Sequence, residues 1–277
     1  MAERSILLTG CSSGIGYDAA LTLKNRGWRV FATCRKKADC ERLIAKGLES
    51  FRLDYQDEGS ISAAVSTVME RTEGKLDALF NNGAYAIPGA VEDLSRDAVR
   101  DIFETNLFGQ IELINNLLPS MRARGQGRII QNSSVLGFVS TPYRGAYCAT
   151  KYALEALTNA YRLEHRGTDI KFVLIEPGPI ETAFRDNSAI QFEKWIDYRH
   201  AHRKEFYEVE VKKRLYDKTQ KPDRFQLPPS AVTKKLVHAL ESKRPKARYM
   251  VTVPTYGANI LNRLLPTRLL DVIMSGE

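Results

Sequence analysis

A tyrosine and a lysine four residues apart are the residues best placed to do acid–base chemistry. Tyr147 and Lys151 fall within 146–163, a stretch with few helix breakers and with apolar residues three and four apart, which predicts a helix. On a helix the two side chains share one face. A nearby ammonium favours the phenolate, so we expect the tyrosine pKa to fall from its usual value of about 10 toward neutral pH. Such a tyrosine can give or take a proton at a carbonyl or alcohol oxygen.

A glycine-rich turn near the amino terminus predicts a binding site for phosphate groups. An apolar strand at 5–9 leads into the turn, a helix follows to about residue 25, and the turn itself reads Gly10-Cys11-Ser12-Ser13-Gly14-Ile15-Gly16. Gly10 permits a sharp bend, whereas Gly14 and Gly16 let the backbone approach a pyrophosphate. The start of the helix supplies N–H groups and partial positive charge. A glycine turn without a ligand is the alternative interpretation.

The residues after the second predicted strand indicate which dinucleotide would bind. Enzymes that prefer NAD place Asp or Glu at this point to hold the ribose 2′-hydroxyl. This chain instead has Arg35 and Lys36, whose charges suit a 2′-phosphate and therefore predict NADP(H). A solvated basic loop is the alternative. Asp54 follows the third strand, where it would either accept a hydrogen bond from adenine or cap a turn.

Alternating strands and helices predict one α/β domain spanning 1–277. The pattern is that of a doubly wound parallel sheet, the three-layer α/β/α Rossmann fold. Residues 183–227 are polar and aromatic, and we expect them to cover the carboxyl ends of the strands. Residues 257–274 form an amphipathic helix broken by Pro266, which would pack within the protein, on another subunit or on a membrane interface. The predicted strands are 5–9, 28–33, 48–53, 76–80, 127–132, 170–175 and 248–253.

Composition, charge and residue spacing indicate which partners, location and metal sites to expect. The 277 residues carry a net charge of +8, but the basic surplus is scattered without interleaved aromatic residues, so we expect no nucleic-acid partner. No signal-peptide pattern and no apolar run long enough to cross a bilayer is present, which predicts a cytoplasmic protein. The four cysteines lack CxxC spacing, and His200 and His202 suit a solvated helix, so no metal site is predicted.

Several separated motifs together resemble the short-chain dehydrogenase/reductase family in its compact single-domain form. Their order and spacing match over residues 4–182, although the family's Asn-Asn-Ala-Gly has its last two residues exchanged in this chain. The motifs are Thr9-Gly10-x-x-x-Gly14-x-Gly16, Asn81-Asn82-Gly83-Ala84, Asn106, Ser134, and Tyr147-x-x-x-Lys151 followed by Pro177-Gly178.

The resemblance implies a catalytic tetrad and an NADP(H) site. Tyr147 would be the general acid or base, Ser134 would join it in binding the substrate oxygen, and Lys151 would lower the tyrosine pKa and hold the nicotinamide ribose. Asn106 would fix a water that links Lys151 to solvent. A homodimer or homotetramer is also implied. The expected cofactor contacts are Gly10, Ser12, Ser13, Gly14, Ile15, Gly16, Arg35, Lys36, Asp54, Asn82, Ala84, Tyr147, Lys151, Pro177, Gly178, Ile180 and Thr182.

Within that family the motifs look like the branch that acts on retinoids, steroids and related lipophilic compounds. The expected activity is hydride transfer between NADP(H) and a lipophilic alcohol, ketone or aldehyde. A catalytically silent NADP(H)-binding sensor or scaffold is the alternative. A nucleotide-sugar epimerase or dehydratase shares Tyr-x-x-x-Lys but has a longer chain and a G-x-x-G-x-x-G turn, and this sequence has neither.

Overall fold

Seven parallel strands form the centre of the described chain, which comprises residues 4–217, 219 and 223–275 of a computed structural model. With the strands numbered along the chain, their order across the sheet is β3-β2-β1-β4-β5-β6-β7. This order and the flanking helices confirm the predicted Rossmann-like fold. The strands are β1 (Ser5–Leu8), β2 (Arg29–Cys34), β3 (Glu49–Arg52), β4 (Ala78–Asn81), β5 (Gln126–Asn132), β6 (Asp169–Glu176) and β7 (Arg248–Met250).

Helices connect the strands and then close over one end of the sheet. Two π-helical segments, Glu104–Phe108 and Tyr207–Val211, and two 3-10 turns, Val91–Asp93 and Val135–Gly137, interrupt the α-helical pattern. The α-helices are α1 (Gly14–Asn25), α2 (Lys37–Ile44), α3 (Glu58–Arg71), α4 (Arg96–Phe103), α5 (Gly109–Arg124), α6 (Gly145–Glu164), α7 (Phe184–Trp195), α8 (Lys204–Phe206), α9 (Lys212–Tyr216), α10 (Ser230–Glu241), α11 (Val253–Leu264) and α12 (Thr267–Ser275).

The two faces of the sheet bury two separate hydrophobic cores. Because successive side chains of a strand point to opposite faces, Ile6 and Leu8 of β1 pack with Leu236 of α10, whereas Leu7 packs with Leu113 of α5. A third cluster lies beneath α7 to α9 and includes Tyr147 itself. Helices on both faces explain why the strands are apolar throughout rather than alternating.

The chain reverses its direction across the sheet between β1 and β4, which are neighbours. Strands β1 to β3 extend one way, and β4 to β7 extend the other. In such sheets ligands bind in the crevice beyond the carboxyl ends of the strands at this reversal. The turn that begins at Gly10 follows β1, and Asn82 follows β4, so the fold places both predicted motifs at that crevice.

The structure differs from the sequence prediction mainly near the carboxyl terminus. The predicted strand 248–253 is wrong beyond Met250, because α11 begins at Val253 with a proline in its first turn. The break at Pro266 does separate α11 from α12. Within the described residues, no helix is long and apolar enough to span a bilayer. Residues 1–3 and 276–277 of the predicted domain, and 218 and 220–222 of the predicted cover, lie outside the described residues.

Candidate active site

A cavity of about 1300 Å³ opens beyond the carboxyl ends of the strands. Residues from the glycine turn, from the ends of β4, β5 and β6, from α6 and from the segment 183–226 form its wall. Gly16, Arg35, Lys36, Asp54 and Asn106 are not part of that wall. The predicted site residues that line it are Gly10, Ser12, Ser13, Gly14, Ile15, Asn82, Ala84, Ser134, Tyr147, Lys151, Pro177, Gly178, Ile180 and Thr182.

The glycine turn is packed so closely that side chains larger than hydrogen do not fit. Gly10 has a φ of +66°, and a Cβ there would lie 2.7 Å from the Cα of Gly83. A Cβ on Gly16 would lie 2.3 Å from the carbonyl oxygen of Gly10. Helix α1 begins at Gly14, and Ser13 at its N-cap makes no capping bond with its side chain. The first N–H groups of α1 therefore open onto the cavity, which fits a pyrophosphate.

Asn82 ties together the ends of three strands. Its Nδ2 donates to the carbonyl oxygens of Thr9 at 3.0 Å and Gly10 at 3.2 Å. Its Oδ1 accepts a 2.9 Å hydrogen bond from Nδ2 of Asn132, at the end of β5. This amide holds the floor of the crevice in place, which explains why an asparagine follows β4.

The exchange of glycine and alanine at Gly83 and Ala84, relative to the motif Asn-Asn-Ala-Gly, has a local physical reason. A Cβ at Gly83 would lie 3.1 Å from Cε2 of Tyr55, tighter than an ordinary contact. The hydroxyl of Tyr55 is in turn hydrogen-bonded to Oδ1 of Asn81 at 2.7 Å, so the ring cannot move freely. In this chain, glycine at the third position of the motif makes room for Tyr55.

Tyr147 is buried in the cavity wall, with the Ser134 hydroxyl near its own. Burial raises the pKa of Tyr147 to about 12, and the Ser134 hydroxyl and the Arg144 charge only partly oppose this rise. The expected fall in the tyrosine pKa is therefore wrong for the protein without cofactor, because the cost of burying a phenolate exceeds the effect of neighbouring charges. At neutral pH the tyrosine holds its proton and is ready to donate it.

Lys151 lies one turn further along α6 and is only 1% exposed. Its Nζ is 5.7 Å from the ring centroid of Tyr147 and donates a 2.7 Å hydrogen bond to the carbonyl oxygen of Asn132. Burial lowers the pKa of Lys151 to about 8, and the charge of Glu155 opposes that change. The ammonium is thus held beside the tyrosine, as the helical spacing predicted.

Asn106 is fully buried in the π-helical segment, outside the cavity. Its Nδ2 donates to the carbonyl oxygen of Tyr85 at 2.8 Å and to Oγ1 of Thr150 at 3.2 Å, and its Oδ1 accepts from the N–H of Tyr85 at 3.1 Å. The side chain therefore joins the loop after β4 to α6. The structure does not bring this amide to Lys151, and its expected role in a water path stays a prediction.

The expected contacts at the adenosine end lie apart from the cavity. Arg35 and Lys36 are exposed directly after β2. The carboxylate of Asp54 pairs with Arg52 at 3.2 Å and accepts a 3.3 Å hydrogen bond from the N–H of Gln56. Asp54 thus caps a turn, and its expected hydrogen bond to adenine stays a prediction.

Sequence reasoning did not identify a buried ionic cluster next to Lys151. Glu155 and Glu176 both pair with the guanidinium of Arg248, Glu155 at 2.5 Å. Burial and the neighbouring Glu155 raise the pKa of Glu176 to about 7, although Arg248 opposes the change. The position of Glu155, four residues after Lys151, was a usable signal, since that spacing puts both on one helix face. Arg248 comes from β7 and could not be paired with them from spacing.

Comparison with known proteins agrees with the fold and the motifs. The family model "short chain dehydrogenase" matches residues 4–191. An uncharacterized oxidoreductase, YbbO, of Escherichia coli K12 is 41% identical over 99% of this chain and 95% of its own length. Human 17-beta-hydroxysteroid dehydrogenase type 1 is 32% identical over 91% of this chain and 78% of its own.

A solved structure shows the same architecture. The short-chain dehydrogenase/reductase of Burkholderia phymatum, in complex with NAD, superposes with a TM-score of 0.78 over 95% of this chain and 92% of its own, at 21% identity. The family match covers well over half of the chain, and the first of these relatives spans nearly all of it. This protein belongs to the short-chain dehydrogenase family of oxidoreductases.

Proposed function

We propose that this chain is an NADP(H)-dependent oxidoreductase that interconverts a lipophilic alcohol with its ketone or aldehyde. The observation that carries the proposal is the position of Tyr147, Ser134 and Lys151 in one cavity wall that also contains the glycine turn. In reduction, the hydroxyl of Tyr147 donates its proton to the carbonyl oxygen, which Ser134 orients by a hydrogen bond. The ammonium of Lys151 stabilises the negative charge left on the tyrosine.

The residues of the cavity fit a nicotinamide dinucleotide. The glycine turn and the start of α1 would hold the pyrophosphate, and residues after β6, from Pro177 to Thr182, would hold the nicotinamide end. When bound, the cofactor supplies or accepts the hydride, that is, the two electrons of the reaction. The protein contributes placement of the substrate and the proton.

Preference for NADP(H) is proposed from the residues after β2. Arg35 is exposed there, and within the described residues no hydrogen bond or ion pair occupies its guanidinium. An unpaired guanidinium suits the 2′-phosphate, and no carboxylate follows the strand directly to hold a 2′-hydroxyl. The Burkholderia phymatum protein, which shares the fold, is in complex with NAD. The fold therefore does not decide between NAD and NADP, and the proposed preference of this chain for NADP(H) depends on its own residues after β2.

A lipophilic substrate is proposed from the apolar side chains beyond Tyr147. Leu136, Phe184, Phe206, Val211 and Leu215 line the cavity on the side of the segment that covers it. Burial of apolar substrate surface against them favours binding by about 25 cal/mol per Å². The human relative, whose name gives hydroxysteroids as its substrates, is consistent with this class.

The test is a turnover screen of steroid, retinoid and aliphatic carbonyl compounds with NADPH and NADH. We expect NADPH oxidation with hydrophobic carbonyl compounds, and a loss of about a hundredfold to ten-thousandfold in turnover for Tyr147→Phe, because the proton donor is removed. Calorimetry should show that this variant still binds NADPH. Undiminished turnover in Tyr147→Phe contradicts the mechanism. NADPH binding without turnover of any compound favours the silent sensor.

A further inference from the structure

One arginine in the cavity wall has no partner of its own. Arg144 precedes α6 at its N-cap, three residues before Tyr147, and is partly buried. Among the residues that the structure describes, none forms a hydrogen bond or an ion pair with its guanidinium. Burial and the charge of Arg214 lower the pKa of Arg144, which reports a cation that is poorly solvated and not neutralised.

The carboxylate that acts on Arg144 is already engaged by two other arginines. That carboxylate is Asp223, which pairs with Arg185 at 3.2 Å and with Arg214 at 3.4 Å. Asp223 is therefore shared and does not neutralise Arg144. Glu181, Asp186 and Glu210 also line the cavity but are exposed, and Asp217 accepts hydrogen bonds from Thr219.

The backbone before Arg144 is held in an unfavourable conformation. Tyr143 has a φ of +59°, which bulky side chains rarely adopt. Its ring stacks on Phe206 at 4.2 Å between centroids, and its carbonyl oxygen accepts a 3.0 Å hydrogen bond from the N–H of Gly89. Strained residues of this kind persist where the surrounding structure fixes them, and they cluster at functional sites. The strained turn at Tyr143 therefore fixes the backbone position of the next residue, Arg144.

Arg144 lies toward the segment that covers the cavity, the side on which the substrate is proposed to bind. Its charged neighbours, Arg214 and Asp223, belong to the segment that covers the cavity, whereas the glycine turn and Arg35 follow β1 and β2. A partly buried guanidinium without a partner lowers the stability of the fold, and an anion that accepts two hydrogen bonds from it offsets this loss. The charge of Arg144 acts on the phenol of Tyr147, so an anion on Arg144 would lie close to an oxygen at Tyr147.

We propose that the substrate carries an anionic head group, a carboxylate or a sulfonate, about two to four bonds from the carbonyl that is reduced, and that Arg144 binds it. The apolar wall then takes the chain beyond the carbonyl, so the substrate is an amphiphilic oxo acid. This inference rests on the proposed function, because it places the reacting oxygen at Tyr147.

The first experiment compares matched substrates. Reduction of 4-oxododecanoate, its methyl ester, and the sulfonate of the same chain length is measured with NADPH. We expect kcat/KM for the better of the two anions to exceed that for the ester by about tenfold to a hundredfold, mostly through KM, as for one charge-assisted pair. The two anions distinguish a carboxylate from a sulfonate head group. Equal or better turnover of the ester overturns the inference while leaving the proposed function intact.

The second experiment removes the guanidinium. In Arg144→Gln the ratio of kcat/KM for anion over ester should fall to about one, and Arg144→Lys should restore part of it. Arg166→Gln is the matched control, because it removes the same charge just past the other end of α6, about 30 Å away. A ratio that is unchanged in Arg144→Gln overturns the inference.

Binding without turnover separates the inference from the proposed function. If no oxo compound is reduced, calorimetry of dodecanoate and methyl dodecanoate with the NADPH-bound protein still reports on the anion site. Tighter binding of dodecanoate that is lost in Arg144→Gln supports the site although the proposed reaction fails. Equal binding of the acid and the ester contradicts it.

Discussion

The ammonium of Lys151 is joined to the backbone of Asn132 by a 2.7 Å hydrogen bond, and this contact fixes it at the end of β5 beside Tyr147. Lys151 is fully buried, and among the described residues its ammonium meets a neutral carbonyl oxygen and one nearby carboxylate, Glu155, so its charge is incompletely compensated. Its pKa of about 8 reports that cost. The position of Lys151, which we propose serves catalysis, therefore lowers the stability of the fold.

We expect Lys151→Met to abolish turnover and to raise the free energy of unfolding at pH 7 by about 1 kcal/mol or more. The folded pKa, about 8, lies below the unfolded value of 10.5, so the folded chain loses this proton first as pH rises. The burial cost is thus fully present below pH 8 and disappears between pH 8 and 10.5. Urea denaturation at pH 6.5 and 9.5 should show a gain that shrinks with pH. The exposed Lys46→Met is the control, and an equal gain there would contradict this account.

The two perturbed pKa values predict different pH profiles for the two directions of reaction. By the proposed mechanism, reduction needs the protonated Tyr147, whose pKa is about 12, and the charged Lys151, whose pKa is about 8. Its kcat/KM should be flat below pH 8 and fall about tenfold per pH unit above it. Oxidation would need the tyrosinate beside a charged Lys151, so its rate should rise about tenfold per pH unit up to pH 8. Above pH 8 the rate should level, because the fraction of tyrosinate still rises while the fraction of charged Lys151 falls by the same factor.

Stopped-flow or steady-state rates from pH 6 to 10 check this prediction, with Lys151→Arg as the companion variant. An arginine keeps its charge over this range, so the break near pH 8 should vanish whatever the remaining rate. A break that stays at the same pH in Lys151→Arg assigns it to another group.

The sequence was sufficient for the features that depend on local pattern and not for those that depend on long-range packing. The strand, glycine turn and helix at 5–25 followed from spacing and from the backbone freedom of glycine, and the pairing of Tyr147 with Lys151 followed from helical geometry. The direction of the Tyr147 pKa change did not, because burial depends on α7 packing over the ring, seen in the 5.4 Å contact with Phe184.

The helix of Asn106 illustrates the same limit. Its apolar pattern predicted a helix, and α4 and α5 are present, but the wider turn at Glu104–Phe108 was not predicted. That turn is fixed by the hydrogen bonds of the Asn106 amide to Tyr85 and Thr150, which come from distant parts of the chain. A mildly unfavourable residue inside a helix was the only local signal.

The cluster of Arg248, Glu155 and Glu176 joins β7 to the middle of α6 and to the end of β6. We expect Arg248→Met to lower the free energy of unfolding by about 3 kcal/mol at pH 8, because it leaves two buried carboxylates without their cation. The pKa of Glu176 is already raised, to about 7, so the folded variant gains protons as pH falls and the loss should shrink toward pH 5.

Urea denaturation of the single and double variants measures this effect. Glu176→Gln in the Arg248→Met background should recover part of the stability, since one buried charge is removed together with its partner. A loss that is the same at pH 5 and pH 8, with no recovery in the double variant, would show that Arg248 acts by packing alone.

Arg35 provides the sharpest test of cofactor choice, because it follows β2 directly and is exposed. We expect Arg35→Asp to weaken NADPH binding about a hundredfold, since the guanidinium proposed to pair with the 2′-phosphate is replaced by a charge that repels it. NADH, which has no such phosphate, should bind equally well or better, because the new carboxylate can accept from the 2′-hydroxyl. Fluorescence titration of both cofactors measures the ratio. Arg122→Asp makes the same charge change at the exposed end of α5 and should leave the ratio as it is. If the parent protein binds NADH and NADPH equally, the assignment of the 2′-phosphate to the residues after β2 is wrong, and Arg35 belongs to the solvated surface.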